Sequence, residues 1–219
     1  MTASSRFLRP DATAGLHART LFYPASGSDW RVPLESFRHC IDDFWFVDAD
    51  PRMRGKVTRE LLLQEMSEDT VAGRTLRTGE PFKIEVRHRS YRTPSGGVLT
   101  IHACTGRGYD AFRSIFVAQG RKLSIFIHRG DSAREGGSGF LWLGSRRIRK
   151  VLASLEPGGL IVSDGSLAIR AMRRRFTGLG PAGIAEAAGS FEYAGYDFDC
   201  VGYLGMRYGP TLVWKTSPR

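Results

Sequence analysis

Apolar positions cluster in short runs separated by turn-forming residues, and the spacing within each run predicts its element. Residues 20–24 form an apolar run that ends in a turn-rich stretch, 24–29. Val32, Leu34, Phe37 and Cys40 follow at intervals that place them on one face of a helix. Phe44, Trp45, Phe46 and Val47 are continuously apolar, the pattern of a strand covered on both sides, and the run stops at Asp48-Ala49-Asp50-Pro51. Strand, loop, helix and strand within about thirty residues predict a βαβ unit with parallel pairing and a right-handed crossover.

The middle of the chain changes period. Residues 57–71 carry helix-favouring Glu, Leu, Gln and Met and predict a helix. From 82 to 92 apolar and polar positions alternate, with Phe82, Ile84 and Val86 on one side and Lys83, Glu85 and Arg87 on the other. With the turn Thr93-Pro94-Ser95-Gly96-Gly97 and the run 98–103, this predicts a β-hairpin over 82–103. Residues 109–117 suit a short helix. Residues 123–127 read as a buried strand, followed by a Gly-rich loop at 135–139 and a helix through Leu155 that Pro157-Gly158-Gly159 should terminate. A strand over 160–162, a basic helix over 168–176, and two β segments at 191–201 and 211–215 complete the chain.

Composition narrows the classes. With 42% hydrophobic and 25% charged residues, the 219-residue chain has a globular mixture, which argues against wholesale disorder. No apolar run approaches the ~20 residues that cross a bilayer, and residues 1–14 lack a secretory signal core. The expectation is a cytoplasmic protein with no membrane partner, residues 1–18 being a disordered lead-in and 19–219 one domain. Cys40, Cys104 and Cys200 have no ligand or CxxC spacing; Cys40 and Cys200, beside apolar stretches, read as small buried hydrophobes, with a nucleophilic role left open.

The net charge of +10 points toward acidic or phosphate-rich partners. Two clusters carry much of it: Arg146, Arg147, Arg149 and Lys150, and then Arg170, Arg173, Arg174 and Arg175. Each is either a solvated helix face or a surface for nucleic acid or another polyanion. Neither is interleaved with aromatics as a single-strand binding surface would be.

The stretch 151–166, VLASLEPGGLIVSDGS, resembles the helix, Pro-Gly-Gly turn and fifth strand of class I S-adenosylmethionine-dependent methyltransferases. The last two β segments are similar to that family's closing hairpin. The resemblance extends over roughly residues 20–216. It implies an α/β fold, a Rossmann-like and mostly parallel sheet with helices on both faces, a C-terminal antiparallel hairpin and an inserted central β-hairpin. It also implies S-adenosylmethionine as cofactor and methyl transfer to an unknown acceptor, one carrying oxygen among the options.

On that resemblance the cofactor-binding residues are Tyr23, Ser26, Gly27, Asp29 and Asp48. Only Gly27 falls on a family glycine; Tyr23 stands where the family has an acid and Asp29 where it has its last glycine. Asp48, at the end of a strand, has the chemistry to accept both ribose hydroxyls. Asp131, Glu135 and His128 would face the substrate, His128 as a base with a pKa near neutrality. Asp131 and Asp164, ending successive strands, would hold a divalent metal such as Mg²⁺ or Ca²⁺. The segment 135–139 also has the small residues of an anion-cradling nest. The competing expectation is a catalytically silent module that binds a partner or a polyanion through its arginine clusters. The single glycine in the cofactor loop and the charge of +10 favour it.

Overall fold

The computed structural model describes residues 6–52, 67–74, 81–92, 96–130, 139–144, 146–166, 168–173, 176–205 and 209–219. Their contacts divide into two units, each with its own run of strands. One unit spans Arg19–Leu123. It contains β2 (Thr20–Pro24), β3 (Asp43–Asp48), β4 (Ser67–Arg74), β5 (Pro81–Arg92) and β6 (Val98–Thr105), in the spatial order β2-β3-β6-β5-β4. β2 and β3 run parallel with Leu21 beside Phe44, and β3 and β6 run parallel with Trp45 beside His102. The helix Arg31–Phe37 links β2 to β3 and buries Pro33 and Phe37. Leu21, Phe22, Tyr23, Phe44 and Phe46 are at most 1% exposed, as their unbroken apolar runs require.

The other side of this unit is antiparallel. β5 pairs along its length with β6, His88 lying opposite His102, and on its other edge with β4, where Val71 lies opposite Ile84. The hairpin expected over 82–103 is therefore present as β5 and β6. It is no appendage, because β6 also forms the parallel edge against β3. A helix, Gly108–Phe112, runs into one π-helical stretch, Arg113–Val117. Phe112 and Phe116 press on Phe22 at 5.6 and 5.2 Å between ring centroids, so this helical segment covers the face bearing Phe22 and Trp45.

The second unit joins the described residues up to Ala18 to those from Ser124 onward. Here β1 (Phe7–Leu8), β10 (Tyr196–Tyr203), β11 (Leu212–Pro218), β8 (Leu155–Ser163) and β7 (Leu123–His128) follow one another in space. β9 (Ser190–Tyr193) pairs with residues 196–199 of β10, beside the stretch that holds β1. β10 with β11 and β11 with β8 are antiparallel. The core contains Trp214 and Phe198, both fully buried, with Phe191 stacked on Phe198 at 4.7 Å. The helices are Ile148–Ser154 and Pro181–Ala188, plus one 3-10 turn, Arg170–Met172.

These observations overturn the expected fold class. A Rossmann-like, mostly parallel sheet with helices on both faces is not what the chain forms. Among the described residues β1–β10, β9–β10, β10–β11, β11–β8, β4–β5 and β5–β6 pair antiparallel, β2–β3 and β3–β6 run parallel, and the α-helices have five to eight residues. The protein is a predominantly β, mixed and mostly antiparallel structure. The reason is visible locally. The end of the helix expected over 57–71 falls in β4, where β-branched Thr70 and Val71 pair with β5 and pairing overrides helix propensity. The helix expected through Leu155 stops at Ser154, because Leu155 is already extended and Glu156 turns inward to accept hydrogen bonds from the backbone N–H of His17 and Ala18 and from Ser124 Oγ. Pro157-Gly158-Gly159 then lies inside β8 rather than ending a helix. Of the basic helix expected over 168–176, one 3-10 turn is described.

Candidate functional site

Five of the sequence-predicted residues meet at one edge of the Arg19–Leu123 unit. Tyr23 is fully buried at the end of β2 and donates its hydroxyl to Asp29 Oδ2 at 3.1 Å. The turn that follows places Ala25 and Gly27 at φ 50° and 53°; Gly27 suits this left-handed position, which costs Ala25 strain. The Ser26 N–H donates to Val47 O at 3.0 Å. Asp48 is the node: its Oδ2 accepts the Gly27 N–H at 2.9 Å, its Oδ1 the Asp50 N–H at 2.8 Å, and its carbonyl the Gly106 N–H at 2.9 Å. One residue, through its carboxylate and its backbone carbonyl, thereby ties together the loops that leave three parallel strands.

The same device recurs in the second unit. Asp164, after β8, accepts the Gly130 N–H at 2.8 Å on Oδ2 and the Ser166 N–H at 2.8 Å on Oδ1. His128 ends β7 with its side chain wholly buried. Asp131 and Glu135, and the loop from 135 to 138, lie outside the described residues. Among the described residues no three His, Cys, Asp or Glu side chains gather as metal ligands. Asp164 directs both its oxygens at backbone amides.

A third cluster escaped the sequence reading. Asp43 opens β3, and its carboxylate accepts from His102 Nε2 at 2.8 Å, Arg121 at 2.8 Å, the Trp45 indole at 2.9 Å and, more weakly, Thr20 Oγ1 at 3.3 Å. His102 stacks flat on Trp45, with ring centroids 3.7 Å apart, and Arg121 sits 5.6 Å from that ring. Burial pushes the Asp43 carboxyl up, but His102, the indole and Arg121 together outweigh it and hold the carboxyl below the usual carboxylate range. The Nδ1 of His102 is buried with no hydrogen-bond partner. No motif spacing could reveal this set; only the parallel register of β3 and β6 brings residue 102 to residues 43 and 45. At the opposite end of β6, where Gly106 meets Asp48, a shallow cleft lined by Lys83, Gly106, Arg107 and Asp110 among others has a volume of about 230 Å³, below the ~300–1,000 Å³ of small-molecule sites.

Charge is distributed unevenly between inside and outside. Besides Asp43, Asp48, Asp164 and Glu156, Asp42 pairs with Arg19, Asp199 with Arg9, and Glu192 and Asp197 with Arg219. By contrast Arg38, Lys83, Arg92, Arg107, Arg146, Arg149 and Arg170 are exposed and form no ion pair among the described residues. The stretch 136–155 holds Arg146, Arg147, Arg149 and Lys150 and no acid at all. Its helix, Ile148–Ser154, buries Ile148, Val151 and Leu152 and turns Arg149 and Lys150 outward. The fold also brings an aromatic to this cluster: the Arg147 guanidinium lies 4.0 Å from the Phe140 ring centroid, with Trp142 5.1 Å from Phe140.

Comparison with protein-family models, curated proteins and solved structures finds no match. The resemblance to class I methyltransferases is accordingly corrected: no family or homologue supports it, and the mostly antiparallel pairing departs from the fold it implied. The Pro-Gly-Gly stretch that carried it is part of a β-strand. Among the described residues no helix is long and apolar enough to cross a membrane.

Proposed function

We propose that this protein binds a polyanion, nucleic acid above all, through the basic surface around Arg146, Arg147, Arg149 and Lys150. The observation that carries the reading is the segregation of charge. Asp48 and Asp164 are held by backbone amides, Asp43 by His102 and Arg121, and Asp42 and Asp199 by their own arginine partners, while Arg146 and Arg149 of this surface are exposed and form no ion pair among the described residues. The net charge of +10 adds a general attraction for polyanions. Arginine suits the role because its planar fork meets phosphate oxygens two at a time.

Affinity for a labelled oligonucleotide, followed by fluorescence anisotropy as salt is raised, tests the proposal. Phosphate binding releases counterions, so log K should fall linearly with log salt, by about 0.9 per phosphate on duplex DNA and about 0.7 on single strands. Reversing two charges, Arg146→Glu with Arg149→Glu, should flatten that line by about two contacts' worth. Absence of binding at about 50 mM salt, or a slope indifferent to the double reversal, would sink the reading.

A further inference from the structure

Resting on the polyanion reading of the same surface, we propose that its ligand is single-stranded nucleic acid, recognised by stacking a base on the Arg147–Phe140 pair. Phosphates alone require only charge, but this surface holds more. Arg147 is pinned with its guanidinium 4.0 Å from the centre of the Phe140 ring. A guanidinium seated over an aromatic ring offers, with that ring, a planar and weakly hydrated surface of the kind on which unpaired bases stack. The pair is held from below: Trp142 is 2% exposed, lies 5.1 Å from Phe140 and packs on Phe126 at 5.3 Å. Phe140 and Arg147 themselves remain partly exposed. Beside them Leu141 is 46% exposed, an apolar contact that a duplex backbone cannot use and a splayed base can.

The chain prepares this platform locally. The Arg147 N–H donates to Gly144 O at 3.0 Å, and the Trp142 N–H to Phe140 O at 2.8 Å, so two tight turns carry residue 140 back to residue 147. The helix that begins at Ile148 then presents Arg149 and Lys150 next to the platform. Backbone phosphates on either side of a stacked base would meet these cations. Duplexes keep their bases stacked on each other and offer phosphates alone.

The experiment compares three labelled ligands on the full chain: an oligothymidylate of about 12 nucleotides, an abasic strand of equal phosphate count, and the matching duplex. At moderate salt the base-bearing strand should bind about tenfold more tightly than the abasic one. Arg147→Lys keeps the charge but loses the plane. It should remove most of that preference while leaving the salt slope and the melting temperature unchanged; Phe140→Trp should retain the preference. Equal affinity for base-bearing and abasic strands, with a normal salt slope, overturns the stacking and leaves polyanion binding standing. No binding of any of the three overturns both.

Discussion

Removing the Asp43 carboxylate probes the most connected charged group described in the Arg19–Leu123 unit. In Asp43→Ala the His102 Nε2–H and the Trp45 indole N–H lose their acceptor together, and Arg121 loses its counter-charge. A buried donor left unsatisfied costs about 1–3 kcal/mol. The Arg121 side chain is 37% exposed and regains water, so its share is under ~1 kcal/mol. The Asp43 side chain is 19% exposed, so water reaches part of the vacated space and the two orphaned donors contribute toward the lower end of their range. The total is about 2–4 kcal/mol, or roughly 5–15 °C in Tm for a chain of this size. Thermal melts followed by circular dichroism at neutral pH measure it. Acid supplies a second check. The folded carboxyl titrates below its unfolded value of about 3.9, so its stabilisation is complete above that pH and disappears as pH falls through the lower folded value. The gap between wild type and variant should therefore close only in strong acid. A variant melting within about 1 °C of wild type at neutral pH, or a gap already closed near pH 5, refutes the assignment.

Three further outcomes follow from the same geometry. Glu156→Gln replaces an oxygen that accepts from the His17 and Ala18 amides or from Ser124 with a donor, and should cost about 1–3 kcal/mol; faster hydrogen exchange at those two amides would locate the loss, and unchanged exchange would disprove the clasp. Gly202→Ala would set a Cβ 2.8 Å from both Phe7 O and Leu8 Cδ1. It should detach β1 from β10, read as earlier proteolysis before Arg9; protection equal to wild type would refute the pairing. Asp48→Asn turns one acceptor toward the Gly27 or Asp50 amide into a donor, so the loop at 24–29 should lose exchange protection while β10 and β11 keep theirs.

What the sequence determined by itself are its local preferences. The apolar runs 20–24, 44–47 and 123–127 are buried strands, and the alternation over 82–92 is a strand, because side-chain period and burial depend on neighbours two residues apart. The helix bearing Val32, Leu34 and Phe37 was equally legible, as were the positive charge and the arginine cluster at 146–150. Only the tertiary structure decided how those strands pair. Antiparallel pairing of β5 with β4 drew residues 67–71 out of the helix expected over 57–71, whose first part lies outside the described residues, and an inward-turning Glu156 ended a helix before its Pro-Gly-Gly signal. The candidate sites depended on it still more. Asp43 meets His102 across 59 positions and Arg121 across 78, and Phe140 meets Arg147 through two turns. Such contacts carry no signature in residue spacing, because register and turn geometry, not composition, set which side chains share a point in space.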